Sequence, residues 1–268
     1  MRIVVCVKEV LDPDAVNNYA LAGRLVIGDD GKTLTQTAIP KLMNGFDEQA
    51  LEAALRLRDA GLACSIHVVS VGPCPGDILK HAAALGADEI AAIDPGGASL
   101  DSHATASLLA AYVRTSGGAD LVLCGRQASD DDQGVVPALI GELLDMPSVT
   151  IARAVEAVDG SGWRVTRVTP VGDEVVLVSC AAVVTVSNEL GDPRYPTAAS
   201  KIKARRVKPG VFSADDLGLS AADLAPRVAF TRQFVPTVQG NCEFIAADSA
   251  AETADRLIAQ LRADSVIQ

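Results

Sequence analysis

The stretch from Gly125 to Gly134 (Gly-Arg-Gln-Ala-Ser-Asp-Asp-Asp-Gln-Gly) gathers the residues of this chain best suited to chemistry. It follows the apolar run Asp120–Cys124 and precedes Val135–Leu144, whose apolar spacing predicts a helix. A strand, a polar loop and a new helix bring backbone N–H donors to the carboxyl edge of a sheet, where open α/β folds hold phosphates. The consecutive carboxylates Asp130, Asp131 and Asp132 would repel an anion there. They are read as acceptors for ribose hydroxyls or as caps on neighbouring N–H groups, leaving phosphate to the backbone of 133–136. A Mg²⁺ site is the competing reading, and solvated caps are the ordinary one. Three further segments share this placement: the end of the first strand at Cys6, the turn Asn44-Gly45-Phe46-Asp47, and Val71-Gly72. In a doubly wound fold they can converge on one crevice with the 125–136 loop, although plain βα connections would look the same.

Those residues need a scaffold, and the hydrophobic pattern supplies one. Arg2–Lys8, Ser65–Val71, Glu89–Ile93 and Asp120–Cys124 read as buried strands. Between them Phe46–Arg58, Asp77–Leu85, Asp101–Ser116 and Gly134–Leu144 read as helices. Acids open the first of these helices and arginines close it, Gly86 stops the second, and Asp101 or Ser102 caps the third. The alternation predicts a doubly wound parallel sheet with right-handed crossovers. Residues 9–40 read as irregular except for a small hairpin turning on Gly28–Gly31. After Pro147 the runs Val149–Val155, Trp163–Thr169, Glu174–Cys180 and Ala182–Val186 read as added antiparallel strands, with Asp159–Gly162 as one turn. Periodicity is lost from Asn188. A loop at 190–200 leads into the basic run Lys201–Lys208, residues 209–236 are extended or loop-like, and Ser249–Ala263 is a terminal helix. The chain is therefore divided into a nucleotide-binding α/β domain at 1–187 and, at 188–268, a docking loop with an extended C-terminal arm that packs on another subunit.

Composition narrows the function. With 23 basic and 34 acidic residues the formal charge is −11, which argues against a nucleic-acid partner. Aromatic residues make up 3%, too few for a base-stacking platform. No apolar run is long enough to span a bilayer and the N-terminus is too short in apolar residues for a signal peptide, so a cytoplasmic protein is expected. Six scattered cysteines (Cys6, Cys64, Cys74, Cys124, Cys180, Cys242) read as reduced core thiols, and His67, His81 and His103 lack metal-ligand spacing. There is no G-x-G-x-x-G, P-loop, G-x-S-x-G or H-E-x-x-H motif. With no catalytic constellation, a binding or carrier role is favoured. The basic run Lys201–Lys208 is open to two readings, a solvated positive face or a partner-docking surface.

Four segments together closely resemble the β subunit of electron transfer flavoprotein: Val4–Val10, Met43–Leu57, Val69–Pro73 and Gly125–Asp132. Asn188–Pro196 and Ala84–Asp88 are similar to that family too. The resemblance implies an adenine nucleotide alpha hydrolase-like fold and an electron carrier rather than an enzyme. It implies a heterodimer with an α subunit that holds most of the FAD site. The β pocket would hold AMP, or a second FAD in electron-bifurcating members. By position the nucleotide residues are Cys6, Asn44, Gly45, Phe46, Asp47 and Val71, with Gly125, Arg126, Gln127, Ala128, Ser129, Asp130, Asp131, Asp132, Gln133, Gly134, Val135 and Val136. Tyr195, Pro196, Thr197, Ala198, Ala199, Lys201 and Lys203 would dock a flavin dehydrogenase of the acyl-CoA dehydrogenase type or a related one. Electrons would then pass to a quinone reductase or another acceptor oxidoreductase.

The chain departs from the family in three places. Gln133-Gly134-Val135 stands where the family usually has Thr, a small residue and Gln, so the hydroxyl and amide expected on phosphate are missing or displaced by a residue. Ala198 occupies the position of the usual leucine anchor, which points to a different dehydrogenase. Gly45 follows Asn44 where proline is usual. Two other classes stay open on the residues alone: a stand-alone adenine-nucleotide-binding module, and an enzyme acting on an adenylated substrate with Cys6 or Asp130–Asp132 as its only candidate groups.

Overall fold

Short runs of Val, Ile and Leu form the middle of a sheet because each is apolar on both faces and needs cover from both sides. The computed structural model describes residues 1–267 apart from 36–37, 74, 98–99, 159–161 and 237–241, so part of the expected turn at 159–162, and Cys74, lie outside the described residues. In chain order the first half comprises β1 (Arg2–Cys6), β2 (Glu9–Leu11), α1 (Pro13–Leu21), β3 (Lys41–Met43), α2 (Gly45–Asp59), β4 (Ser65–Val71), α3 (Gly76–Leu85) and β5 (Glu89–Asp94). Then follow α4 (Ser102–Thr115), β6 (Leu121–Gly125), α5 (Val136–Leu144), β7 (Ser148–Val158), β8 (Gly162–Thr169), β9 (Gly172–Val178) and β10 (Ala182–Val186). A single 3₁₀ turn at Asn188–Leu190, α6 (Ala198–Ala204), β11 (Gly210–Ser213) and α7 (Ala250–Ala263) complete it.

Nine strands form one sheet in the order β11-β5-β4-β1-β6-β10-β7-β8-β9. Pairing is parallel from β11 to β7 and antiparallel across β7, β8 and β9. Period-two alternation sorts the core. Ile3, Val5 and Val7 pack with α2 and α3 on one face, while Val4 and Cys6 pack with α4 and Ile140 of α5 on the other. This is the expected doubly wound parallel sheet with added antiparallel strands.

Several local expectations need correction. Ala182–Val186 is not an antiparallel addition: β10 lies in parallel between β6 and β7, all five of its residues buried. Residues 9–40 are not merely irregular. Asp12 caps α1 through Asp14 and Ala15 with Pro13 in the first turn, and β2 pairs with β3 in a separate ribbon. The small hairpin is present, with an Ile27–Leu34 bridge and a Gly28 N–H bond to Thr33 at 2.7 Å. Residues 198–200 belong to α6 rather than to a loop, and 210–213 form an edge strand beside β5. Among the described residues only Cys6 and Cys124 are buried core thiols. Cys64 is half-buried, and Cys180 and Cys242 are exposed.

The residues form two units, Met1–Gln233 and Phe234–Gln268. The second contains α7, capped by Ser249 as expected from its sequence and braced by an Arg256–Glu252 pair, and no residue of α7 is buried. Among the described residues, no helix is long and apolar enough to cross a membrane.

Candidate functional site

The chain leaves β1 for β4 and β5 on one side, then returns to place β6 on the other. That reversal makes the carboxyl ends of β1 and β6 a topological switch point, where open α/β sheets form ligand crevices. A cavity of about 310 Å³ lies there. Cys6 and Cys124, paired in register on β1 and β6, contribute to its wall. Val71 at the end of β4, with Leu100, Leu109 and Val136, adds apolar surface. The starts of α4 and α5 both border the cavity, through Ser102 and Thr105 on one and Val136 and Pro137 on the other. Two helix N-termini on one space give a favourable potential for an anion.

The rim is one hydrogen-bonded assembly. Asn44, the N-cap of α2, donates from Nδ2 to Gln127 O (2.8 Å) and accepts from Ser129 N–H (3.2 Å), so the turn at 44 holds the loop at 127–129. Asp47 lies below it, accepting from Lys8 N–H (2.8 Å) and Gly125 N–H (3.0 Å). Burial pushes the Asp47 carboxyl up to about 7, and these hydrogen bonds offset only part of that rise. Phe46 packs under Gly125, and the Arg126 guanidinium sits 5.5 Å from the Phe46 ring centre. Gly134 has φ 62° and a side chain there would meet Arg126 O at 2.8 Å, so the loop closes on itself at a glycine by necessity.

The three acids are consumed by bracing. Lys8 Nζ pairs with Asp130 (2.7 Å) and Asp131 (3.3 Å), and Asp132 accepts from Gln127 Nε2 (2.8 Å). Lys8 thereby neutralises part of the charge that made this loop awkward for an anion. The Gln133 side chain accepts from Ser102 Oγ at 2.7 Å, tying the loop to α4. Asp101, also on the rim, accepts from Ala104, Arg227 and Val228 N–H groups. A hydrogen bond with Cys6 and burial hold the Cys124 thiol well above the usual thiol range, so it serves as neutral wall rather than nucleophile.

Of the residues expected from sequence, Cys6, Asn44, Asp47, Val71, Gly125, Gln127, Ala128, Asp131, Gln133, Gly134, Val135 and Val136 line the cavity. Gly45, Phe46, Arg126, Ser129, Asp130 and Asp132 stand behind that lining, as the first residue of α2 or as braces of the loop. Sequence reasoning missed Lys8, Ser102, Thr105 and Leu109. The signal for Lys8 was its place two residues past the end of β1. For Ser102 it was the Asp-Ser capping pair that opens a helix after β5.

A model of the electron transfer flavoprotein domain family matches residues 32–217, more than half of the chain. The chain belongs to the electron transfer flavoprotein family, on the β-subunit side. It is 32% identical to the caffeyl-CoA reductase-Etf complex subunit CarD of Acetobacterium woodii over 100% of each chain. It is 34% identical to the β subunit of Thermoanaerobacterium thermosaccharolyticum over 84% of this chain and 83% of that one. With the mouse β subunit the identity is 30%, over 98% and 97%.

In this electron transfer flavoprotein chain the segment expected to dock a partner stands apart from the cavity lining. Tyr195, Pro196 and Thr197 lead into α6, whose first turn Thr197 caps by accepting from Ser200 N–H (3.1 Å). Ala198, Ala199, Lys201 and Lys203 lie on that helix. Tyr195 is 92% exposed and Ile202 60%. Arg194, just before them, is drawn inward onto Glu52 of α2.

Proposed function

We propose that this chain is the β subunit of a heterodimeric electron transfer flavoprotein, an electron carrier that holds AMP at its switch-point cavity. The observation that carries the reading is that cavity: a space of about 310 Å³ bordered by two helix N-termini and closed by the 125–135 loop. Its volume lies within the range of small-molecule sites. AMP phosphate would rest on backbone N–H groups at the start of α5, with the Ser102 and Thr105 hydroxyls within the same wall. These hydroxyls offer a substitute for the one that Gln133 replaces. The adenosine would lie beneath residues 125–132 against Val71, Leu109 and Val136. An α subunit would hold most of the FAD, and the FAD supplies the redox chemistry when bound. Electrons would arrive from a flavin dehydrogenase docked at 195–203 and leave to a quinone reductase or another acceptor. Residues 234–268 would pack on the α subunit. No residue of α7 is buried within this chain, while Phe244 is 89% exposed and Leu257 and Ile258 are also exposed, which supports that arrangement.

The test is to purify the chain alone and together with its α partner, denature both, and count released FAD and AMP by mass spectrometry. The reading expects one FAD and one AMP per heterodimer, and little flavin on the lone chain. Two FAD and no AMP per dimer would put a second FAD in this pocket and make the protein the electron-bifurcating type. A lone chain that forms a stable homodimer and pairs with no α subunit would overturn the reading in favour of a stand-alone nucleotide-binding module.

A further inference from the structure

We propose that Glu52, buried on α2, is the positioning residue of the docking loop, fixing residues 190–194 so that Tyr195 is presented as the apolar anchor in place of Ala198. The inference rests on the reading of 195–203 as the docking surface. Glu52 is 5% exposed, and its carboxylate collects the loop from both sides. Oε2 accepts from Arg194 N–H (3.2 Å) and Arg194 Nε (2.7 Å), while Oε1 accepts from Arg194 Nη2 (3.2 Å) and Arg56 Nε (2.8 Å). Arg56 extends the grip by donating to the carbonyls of Leu190 (2.7 Å) and Asp192 (3.2 Å). Arg194 completes it at Asp59 (2.7 Å).

Such a carboxylate is not placed for solubility. Burial alone would raise its pKa, yet the hydrogen bonds from Arg194 and Arg56 outweigh that and hold the group below the ordinary glutamate range. It is therefore charged at neutral pH and faces two cations, Arg194 through its fork and Arg56 through Nε. Removing it leaves two guanidinium groups without their shared anion, so Arg194 keeps only Asp59 and Arg56 is no longer steadied where it holds the carbonyls of 190 and 192. Tyr195 is the next residue after Arg194 and is 92% exposed; Ile202, on α6, is 60% exposed. Lys201, Lys203, Arg205 and Arg206 are exposed around them. This arrangement fits a partner surface with an apolar hole inside an acidic rim. A methyl group at Ala198 buries too little to serve as the anchor, whereas a ring can do so. A loop held in one shape beforehand loses less freedom on docking, so the clamp acts on affinity rather than on electron transfer itself.

The experiment uses the heterodimer and the variants Glu52→Gln, Arg194→Lys and Tyr195→Ala. Hydrogen exchange over 188–204 reads the clamp without any partner. Steady-state reduction by a short-chain acyl-CoA dehydrogenase reads docking. For Glu52→Gln we expect faster exchange in 188–197, a KM for the dehydrogenase raised on the order of tenfold to a hundredfold, an unchanged kcat and unchanged AMP content. Arg194→Lys, which keeps the charge and loses the fork, is expected to fall between that variant and the parent. Unchanged exchange in both clamp variants overturns the proposal, as does faster exchange with an unchanged KM. If Tyr195→Ala leaves KM unaltered, the anchor assignment falls and the proposal with it; if KM is also indifferent to a Lys201→Glu, Lys203→Glu double variant, it is the reading of 195–203 as the docking surface that fails.

Discussion

A methyl group at Gly125 would have nowhere to go. The added carbon would fall inside contact distance of Asp47 Oδ1, 2.7 Å from Phe46 Cβ and 2.8 Å from the Phe46 carbonyl carbon. None of these is the loose end of a flexible side chain. Asp47 is fixed by the Lys8 and Gly125 N–H groups, and Phe46 is in the first turn of α2. Relief requires α2 to back away from β6, which stretches the hydrogen bond between Asp47 and Gly125 at the same time. Overpacking costs about 1–3 kcal/mol, and a buried N–H left short of its acceptor costs about 1–3 kcal/mol more. Gly125→Ala should therefore destabilise the chain by about 2–6 kcal/mol, which lowers Tm by roughly 4–11 °C for a protein of this size. Thermal unfolding followed by circular dichroism reads the first effect, and AMP retained after gel filtration reads damage to the rim. Gly76→Ala is the control: it sits at the start of α3 with open space around it and should move stability by less than about 1 kcal/mol. A Gly125→Ala protein within 1 kcal/mol of the parent, with its nucleotide intact, would refute the close packing of α2 on β6 described above.

Three further outcomes can be stated. Gly45→Pro should stabilise by about 0.4–1 kcal/mol, because Asn44 at φ −55°, ψ 131° already has the extended geometry that precedes proline and Gly45 is the first residue of α2; a lower Tm would count against this geometry. Asp47 holds its proton up to about pH 7 when folded, against about 3.9 when unfolded, so its contribution to stability is complete below pH 4 and is lost as pH rises towards 7. Denaturant titrations should show that decline in the parent and a flatter profile in Asp47→Asn; identical profiles would contradict the burial assigned to this carboxyl. Lys8→Met removes the cation shared by Asp130 and Asp131, all half-exposed, so stability should change by less than about 1 kcal/mol. If the cavity holds AMP as proposed, its retention should nevertheless fall, most at low salt, and retention equal to the parent at every salt concentration would exclude a role for Lys8 in lowering the negative charge of this loop.

The parallel core was legible because β1, β4 and β6 are short runs rich in Val, Ile and Leu, interrupted in β4 only by Ser65, His67 and Ser70, and the helices between them carry recognisable starts and stops. The direction of Ala182–Val186 was not. Its five residues suit any buried strand, and only pairing with Leu121–Gly125, some sixty residues earlier, decides that it runs parallel. Helix α1 escaped notice although Asp12-Pro13 is a good start signal, because it buries no face and so shows no apolar period. The rim residues Asn44 and Asp47 could be placed from their position at a helix start, and Ser102 from the Asp-Ser capping pair, whereas Thr105 carries no motif and reaches the cavity only through the sheet order. The pairing of Glu52 with Arg194 spans 142 positions and leaves no local trace in the sequence.

The register of Cys6 with Cys124 has a kinetic corollary. Central strands are the last part of such a sheet to open, so their amides should exchange only through global unfolding. A molecule seated above them would have no exit downward, so the glycine-bounded segment from 125 to 134 is one of the elements that must move for it to leave. A variant that loosens this segment away from Gly125 should therefore shorten residence time first, and lower the melting temperature only by the stabilisation that a bound nucleotide had supplied.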